Sequence, residues 1–344
     1  MTLLPLWYLY VLLVGLCVGS FLNVCVARLP YEKSLLWPGS HCPLCLQAIR
    51  WYDNLPLLGY LRLRGKCRSC RAPISLRYPL IELATGLLFV GLFHVEMVAN
   101  WLHLPMLRQR WGMAPGLIPP EAVVVFAHHA TLLCFLLVAS ICDLIDMEIP
   151  LSVTLTGTVV GLAMATMLPW PYPEAMPVQS TPLPPWPGAY PWPVWYPLPD
   201  WLPAGSWRLG LATGLAGAAV GAALLRAVRF LFQLGRGIEG LGVGDADLMM
   251  MAGAFVGWQP VVLAFFVAVG PALVFAVAQL MARGEQAMPF GPSLSLGVLI
   301  TLLAMPVLGP HFAPGLFDAV MITVLGVAGG LSLLAVSFVL RLIR

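Results

Sequence analysis

Long apolar runs recur along the whole chain, and they restrict its fold more than any other feature. A helix that crosses the hydrocarbon core of a bilayer needs about 20 mostly apolar residues. The segments that meet this length are 4–27, 80–99, 121–142, 150–169, 208–232, 261–282, 290–308 and 316–340. A further apolar stretch, 246–258, is shorter and predicts either a short span or a re-entrant helix packed inside protein. With 60% hydrophobic and 10% charged residues, the sequence predicts an all-α polytopic membrane protein with eight or nine transmembrane helices.

The distribution of basic residues predicts the orientation of these helices. Half of the 18 Lys and Arg residues lie in the loop 28–79. Because loops rich in Lys and Arg stay on the cytoplasmic side, we expect this loop in the cytoplasm and the N-terminus outside. Alternation of the spans then places Asp143 and Asp245 at the cytoplasmic face. The first apolar run is too long for a typical signal peptide and has no basic region before it, so we expect it to remain as a helix.

The cytoplasmic loop holds two Cys-x-x-Cys pairs with 21 residues between them, formed by Cys42, Cys45, Cys67 and Cys70. Each pair can direct two thiolates at one ion, so the spacing predicts a small zinc-ribbon-like site. A cytoplasmic location argues against disulfide bonds. The alternative is a pair of reduced knuckles without metal. The other cysteines lie in or beside spans and are expected to be small packing residues; they are Cys17, Cys25, Cys134 and Cys142.

Two aspartates at the ends of apolar segments are the strongest candidates for chemistry. Asp143 ends the span 121–142, and Asp245 completes the sequence Gly242-Val243-Gly244-Asp245. An ionisable residue at membrane depth is costly and therefore indicates function. Two carboxyl groups that share a proton can supply both the base and the acid for hydrolysis of a peptide bond. The simpler interpretations are a charge at the end of a span for Asp143 and helix capping for Asp245.

Other features have simpler expected roles. Three nearby carboxylates, Asp146, Glu148 and Asp247, are expected to be solvated charges at helix ends. The segment 169–207 is rich in Pro and Trp and predicts an extended external insertion, either a spacer at the membrane interface or a surface for a partner. No Gly-x-Gly-x-x-Gly sequence follows a strand, so the sequence does not locate a nucleotide-like ligand. We expect contacts with membrane lipid and no nucleic-acid partner.

Taken in order, the motifs resemble those of the type IV prepilin peptidase family of membrane aspartyl proteases. The resemblance covers about residues 15–300. It rests on Gly19-Ser20-Phe21-Leu22-Asn23-Val24, Arg28-Leu29-Pro30, Ser40-His41-Cys42-Pro43, Asp53-Asn54-Leu55-Pro56, Leu63-Arg64-Gly65-Lys66-Cys67, Ile74-Ser75-Leu76-Arg77-Tyr78-Pro79-Leu80-Ile81-Glu82, Asp143 with Pro150 seven residues on, Gly242-Val243-Gly244-Asp245 and Pro289-Phe290-Gly291-Pro292.

The resemblance implies a bifunctional enzyme of the inner membrane. Such an enzyme cleaves the basic leader of prepilins and pseudopilins after a glycine at the cytoplasmic face, with Asp143 and Asp245 as the catalytic residues. It then methylates the new N-terminal residue with S-adenosylmethionine, and the cysteine loop belongs to the part linked with methylation. The implied organisation is a first helix (1–27), a Cys-rich cytoplasmic domain (28–79), a peptidase core with the insertion 169–207 (80–309) and an added C-terminal helix (310–344).

This chain departs from the family pattern in four places. Leu151 replaces the usual Asp or Asn, Asp247 replaces a usual Lys, the insertion 169–207 is long, and the span 316–340 is an addition. Two alternatives stay open. The chain could retain the fold but only one of the two activities, or it could be a transporter or scaffold whose membrane carboxylates serve a proton relay. The sequence does not indicate the oligomeric state.

Overall fold

The computed structural model describes residues 3–102, 104, 107, 118–168, 192–195, 197–238, 240–283 and 288–342. Its residues form two compact units, one up to Asn100 and one that includes the chain from Pro119 onwards. Within the described ranges the secondary structure is helical, apart from two isolated β-bridges in the cysteine loop, His41 with Ala48 and Lys66 with Pro73. The prediction of an all-α fold is confirmed. Most of the Pro/Trp-rich segment 169–207 lies outside the described residues.

The first unit is a pair of long helices joined by the cysteine loop. Helix α1 (Leu4–Arg28) packs along α3 (Arg77–Phe93), which continues into a π-helical turn, His94–Val98. The two helices approach closely at Gly19 of α1, where an added Cβ would stand 2.8 Å from the Cα of Glu82. Such small residues at helix contacts are typical of membrane proteins. Between the two helices, the loop contains the short helix α2 (Leu58–Arg62).

Seven helices of the second unit lie wholly within the described part of the chain. They are α4 (Pro120–Asp146), α5 (Leu151–Ala165), α6 (Trp207–Arg236), α7 (Val243–Val256), α8 (Trp258–Arg283), α9 (Gly291–Leu316) and α10 (Ala319–Leu342). In the described part of the chain, seven helices of the two units are long and apolar enough to cross a membrane: α1, α3, α4, α6, α8, α9 and α10. The chain is therefore a multi-pass membrane protein.

Two of the predicted apolar segments form helices shorter than a full span. Helix α5 has 15 residues and α7 has 14, which at about 1.5 Å per residue gives roughly 22 and 21 Å. The hydrocarbon core of a bilayer is about 30 Å thick. The predicted span 150–169 is helical only as far as Ala165, and three further described residues form turns. All nine predicted apolar segments are thus helical, and two of them are short.

Helix α7 lies at the centre of the second unit. It contacts α4, α5, α6, α8 and α9, and every residue from Asp245 to Val256 except Met250 is buried. Helix α6 approaches it closely, since a Cβ on Gly217 or Gly253 would overlap the backbone of the other glycine. On another side, Phe255 of α7 packs against His128 of α4, whose Nε2 lies 2.9 Å from the Phe255 carbonyl oxygen. The surrounding helices therefore fix the start of α7, where Asp245 lies.

Candidate functional site

Asp143 lies in the last turn of α4 and is 6% exposed. The helix ends three residues later, because Met147 adopts a left-handed conformation and its N–H donates to the Asp143 carbonyl oxygen. The side chain points to the start of α9, where the backbone N–H of Gly291 donates a 2.8 Å hydrogen bond to Oδ2 of Asp143. The position of Asp143 is therefore fixed at two points, by the hydrogen bond from Gly291 to its side chain and by the end of its helix.

Asp245 lies in the first turn of α7 and is 7% exposed. Its Oδ2 accepts a 3.1 Å hydrogen bond from the backbone N–H of Gly242, the residue before the helix. This is the capping geometry that the sequence allowed as a simpler interpretation. A carboxylate at this position is also stabilised by the helix dipole. Capping and catalysis do not exclude each other, because the second oxygen of the carboxyl group is not engaged by Gly242.

The structure brings the two aspartates into one site. Ile149 links their surroundings: its Cδ1 lies against Gly291, which binds Asp143, and its Cβ lies against Gly244, which precedes Asp245. Two buried like charges are costly, and the pair is most stable when its carboxyl groups share one proton. This arrangement can supply a base and an acid to the same water molecule.

The three competing carboxylates separate into two groups. Asp146 and Glu148 are exposed, as the sequence predicted. The expectation for Asp247 was wrong, because its side chain is 13% exposed and pairs with Arg226 of α6 at 2.9 Å. A charge buried this far needs a partner, and α6 supplies one. Of these carboxylates, Asp146 and Glu148 lack the burial that characterises Asp143 and Asp245.

The four predicted cysteine ligands form a second cluster, in the first unit. All four Sγ atoms lie within 4.8 Å of one another. Cys42 and Cys70 are 3.9 Å apart, as are Cys45 and Cys67. A tetrahedral zinc site with bonds of about 2.3 Å has sulfur–sulfur distances of roughly 3.8 Å. The cluster therefore fits a tetrahedral metal ion of this size.

Both Cys-x-x-Cys turns have the same local structure, which explains how they converge. In the first, Leu46 has φ 57° and its N–H donates to the Cys42 carbonyl oxygen. In the second, Arg71 has φ 61° and its N–H donates to the Cys67 carbonyl oxygen. Each turn folds back so that its two thiols face the other turn. The two Cys-x-x-Cys turns therefore supply two equivalent halves of one set of four cysteine ligands.

The electrostatics of the cluster also favour a cation. Backbone N–H groups of Cys70 and Ser69 lower the pKa of Cys67 to about 6, which favours the thiolate form of this residue. The pKa of Cys70 moves the other way, to about 11: the Ala72 N–H lowers it, but desolvation and the neighbouring cysteines raise it more. The four thiols cannot all ionise without a positive ion between them, and metal binding would remove that conflict.

Two contacts that organise these sites were not predicted. The Gly291 N–H to Asp143 bond involves a motif that the sequence analysis quoted without a role, Pro289-Phe290-Gly291-Pro292. In the first unit, Oε2 of Glu82 accepts a 2.8 Å hydrogen bond from the backbone N–H of Leu57. The only sequence signal for either contact was membership in a motif.

Fold and sites together define a multi-pass helical membrane protein with a buried aspartate pair and a four-cysteine cluster. Two family descriptions match the chain, the bacterial peptidase A24 N-terminal domain over residues 13–95 and the type IV leader peptidase family over residues 201–277. The chain belongs to the type IV leader peptidase family, which confirms the resemblance found in the sequence.

Curated relatives extend the match over most of the chain. A prepilin leader peptidase/N-methyltransferase of Klebsiella pneumoniae is 34% identical over 74% of this chain and 87% of the relative. One from Burkholderia pseudomallei (strain 1026b) is 31% identical over 85% of this chain and 84% of the relative. One from Myxococcus xanthus is 32% identical over 82% of this chain and 65% of the longer relative. No solved structure shows significant similarity.

Proposed function

We propose that this protein is a prepilin leader peptidase and N-methyltransferase of the inner membrane. The observation that carries the peptidase assignment is the burial of Asp143 and Asp245 in one site, each carboxyl group positioned by a backbone N–H. The relatives named as prepilin leader peptidase/N-methyltransferase support both activities. The substrates are prepilins or pseudopilins, whose basic leader is cut after a glycine.

The two aspartates divide the work of hydrolysis. In the free enzyme they share one proton. The ionised carboxylate takes a proton from water as its oxygen attacks the scissile carbonyl carbon. The protonated partner donates its proton to the departing amide nitrogen, so the new C–O bond forms as the C–N bond breaks. Held by Gly291 and Gly242, the two side chains stay in position through both proton transfers.

The second activity methylates the new N-terminal amine. When bound, S-adenosylmethionine would supply a methyl group from its sulfonium. The amine nitrogen would bond to the methyl carbon as the carbon–sulfur bond breaks, S-adenosylhomocysteine would leave, and the extra proton of the amine would go to solvent. The amine must be neutral to use its lone pair. In the described residues, the aspartate pair and the cysteine cluster belong to different compact units. We therefore assign methylation to the first unit, which matches the A24 N-terminal domain.

A zinc ion is the metal that fits the cysteine cluster best. Cys42, Cys45, Cys67 and Cys70 would hold it, and four protein ligands leave no open position, so its role is structural. When bound, the ion supplies a positive charge that keeps all four thiolates ionised. The cysteines would then tie the two Cys-x-x-Cys turns together and fix the loops between them.

The orientation proposed here follows from the positive charge of loop 28–79. Its nine basic residues favour the cytoplasmic side, and the N-terminus then lies outside. We further propose the organisation given above: a first helix (1–27), a cytoplasmic Cys-rich domain (28–79), a peptidase core (80–309) and an added C-terminal helix (310–344). Reaction of single introduced cysteines with a membrane-impermeant maleimide would test the sidedness of each loop.

Cleavage of a co-expressed prepilin in membranes tests the peptidase assignment. We expect wild type to release the leader and both Asp143→Asn and Asp245→Asn to be inactive while accumulating normally. The matched control is Asp146→Asn, which makes the same chemical change on an exposed residue three positions after Asp143. It should cleave at the wild-type rate.

Three outcomes would change the assignment. Activity in both Asn variants would show that the aspartate pair is not catalytic. Cleavage without methylation in wild type would leave a peptidase with one activity. If wild type cuts none of the prepilins from its own genome, the transporter or scaffold alternative would replace the enzyme.

A further inference from the structure

A pocket of about 430 Å³ lies in the first unit, between the end of α1 and the cysteine loop. One wall is α1, with Cys17, Ser20, Phe21, Val24 and Arg28. The other walls are the loop before the first Cys-x-x-Cys turn (Leu35 and Pro38–Ser40) and the segment Asn54–Pro56 between the two turns. The pocket is open on one side, and its volume is sufficient for a small molecule. The aspartate pair belongs to the other unit and contributes nothing to it.

We infer that this pocket is the binding site of the methyl donor, S-adenosylmethionine, and that Ser20, Ser40 and Asn54 make the polar contacts to it. The inference rests on the proposed methyltransferase activity and adds the residues that would bind the donor.

The lining has the mixed character that this donor needs. Phe21, Val24 and Leu55 offer an apolar surface for an adenine ring. Ser20, Ser40 and Asn54 line the same space, and their side chains make no hydrogen bond to the described part of the chain. These hydroxyl and amide groups are free to contact the ribose and the amino-acid end of a ligand. A purely apolar ligand would gain nothing from them.

Arg28 is the one charged residue of the lining. Its guanidinium donates to the carbonyl oxygens of Ser34 at 2.8 Å and Pro38 at 2.7 Å, and more weakly to those of Leu35 and Gly39. These bonds hold the loop 34–39 as a rigid wall. The positive charge lies next to the pocket, where it would attract the carboxylate of the donor and repel its sulfonium and ammonium groups, so the carboxylate must be the end of the donor nearest Arg28.

The cysteine cluster and two polar contacts hold the remaining walls. Ser40 is two residues before the first ligand, Cys42, and Asn54 follows Asp53, which pairs with Arg68 in the second Cys-x-x-Cys turn at 2.6 Å. Leu57, next to the pocket wall, is anchored by Glu82 of α3. The pocket shape thus depends on the folded cysteine loop. This dependence gives the loop a physical role in methylation.

The test is direct binding of radiolabelled S-adenosylmethionine to the purified full-length protein in detergent. Asn54→Ala and Ser40→Ala should each weaken binding by about tenfold, the effect of losing one good hydrogen bond. Val24→Trp should abolish binding by filling the pocket. The control is Gln47→Ala, a change on an exposed residue between the two Cys-x-x-Cys turns and outside the lining, which should bind as wild type does. Zinc content and thermal unfolding check the fold of each variant.

Each result decides between specific alternatives. If wild type binds the donor and the folded Asn54→Ala and Ser40→Ala variants bind it equally well, the pocket assignment is overturned while the proposed function stands. If these variants retain donor binding but show a raised KM for pilin, the pocket holds the peptide instead and the inference is wrong. If wild type neither binds the donor nor methylates pilin, the methyltransferase half of the proposed function fails, and this inference with it.

Discussion

The backbone N–H of Gly291 donates a 2.8 Å hydrogen bond to Oδ2 of Asp143, a residue 148 positions earlier in the chain. The first residue of α9 is thus joined to the last turn of α4. A side chain at position 291 would not fit, since a Cβ there would stand 2.7 Å from the same oxygen. Gly291 orients the carboxyl group of Asp143 through its N–H, and its lack of a side chain leaves the space that this carboxyl group occupies.

Gly291→Ala is therefore expected to impair cleavage by displacing Asp143. A displacement of about 1 Å in a catalytic group can reduce the rate by roughly 100-fold, and we expect a loss of about 10- to 100-fold in the cleavage rate. The matched control is Gly270→Ala in α8, where a new Cβ meets nothing within 4 Å. Rates are measured in membranes at equal enzyme levels. Equal rates for the two variants would show that Gly291 does not position Asp143.

The Arg226–Asp247 pair yields a prediction about stability. Removing Arg226 leaves the carboxyl group of Asp247 largely buried without its partner, whereas Arg226 itself is 57% exposed. Solvent screening limits the strength of the pair, so we expect Arg226→Ala to lower the free energy of unfolding by about 1–2 kcal/mol. In the double variant Arg226→Ala/Asp247→Asn, the cost should be smaller than the sum of the single costs. Additive costs, measured by thermal or denaturant unfolding in detergent, would contradict a coupled pair.

The residues of the two candidate sites could be selected from the sequence because they lie in short motifs with fixed chemistry. Asp143 and Asp245 were singled out by their place at membrane boundaries, and the four cysteines by their spacing alone. The sequence did not predict contacts between distant segments, such as the hydrogen bond between Gly291 and Asp143. Asp247 was misjudged for the same reason: two positions from Asp245 it looked like a helix-end charge, and only the packing of α6 against α7 shows that it is buried and paired.

The short length of α5 was the other feature that the sequence did not predict. Apolar composition alone does not distinguish a helix that spans the membrane from a short helix surrounded by protein. The segment that became α5 has the same apolar character as full spans, whereas the segment that became α7 was already predicted to be short. Helix α7 is short because glycines at both ends interrupt it, with Gly242 before the first turn and Gly257 (φ 86°) after the last.

The cysteine cluster predicts a bound metal that can be removed. Purified protein should contain one zinc ion per chain, and a substitution such as Cys67→Ser should eliminate it, because three thiolates bind far more weakly than four. Cys134→Ser, in α4 and outside the cluster, is the control and should retain the metal. Metal content is measured by atomic emission. A full zinc complement in Cys67→Ser would refute the four-cysteine site, and a metal-free wild type would support the reduced-knuckle alternative.

Asp53 gives a prediction about pH. Hydrogen bonds from Arg68, one of them 2.6 Å long, lower the pKa of the Asp53 carboxyl group below its ordinary value of 3.8. Because the folded form binds this proton less readily than the unfolded form, the stabilisation is fully present above pH 3.8. It is lost as the pH falls through the lowered folded value. Asp53→Asn should therefore loosen the second Cys-x-x-Cys turn at neutral pH and matter progressively less in strong acid.

Hydrogen exchange measures this effect at the turn itself. The Cys67 N–H bonds to the Ala72 carbonyl oxygen, and the Arg71 N–H to that of Cys67, so both amides report on the turn. At pH 7 they should exchange faster in Asp53→Asn than in wild type at the same pH, and the difference should shrink below about pH 4. Glu32→Gln, a change of the same type on an exposed residue of the first unit, should match wild type throughout. Equal protection of both amides in wild type and Asp53→Asn at pH 7 would mean that the ion pair does not hold the turn. In that case the four cysteines alone, with their metal, would fix its position.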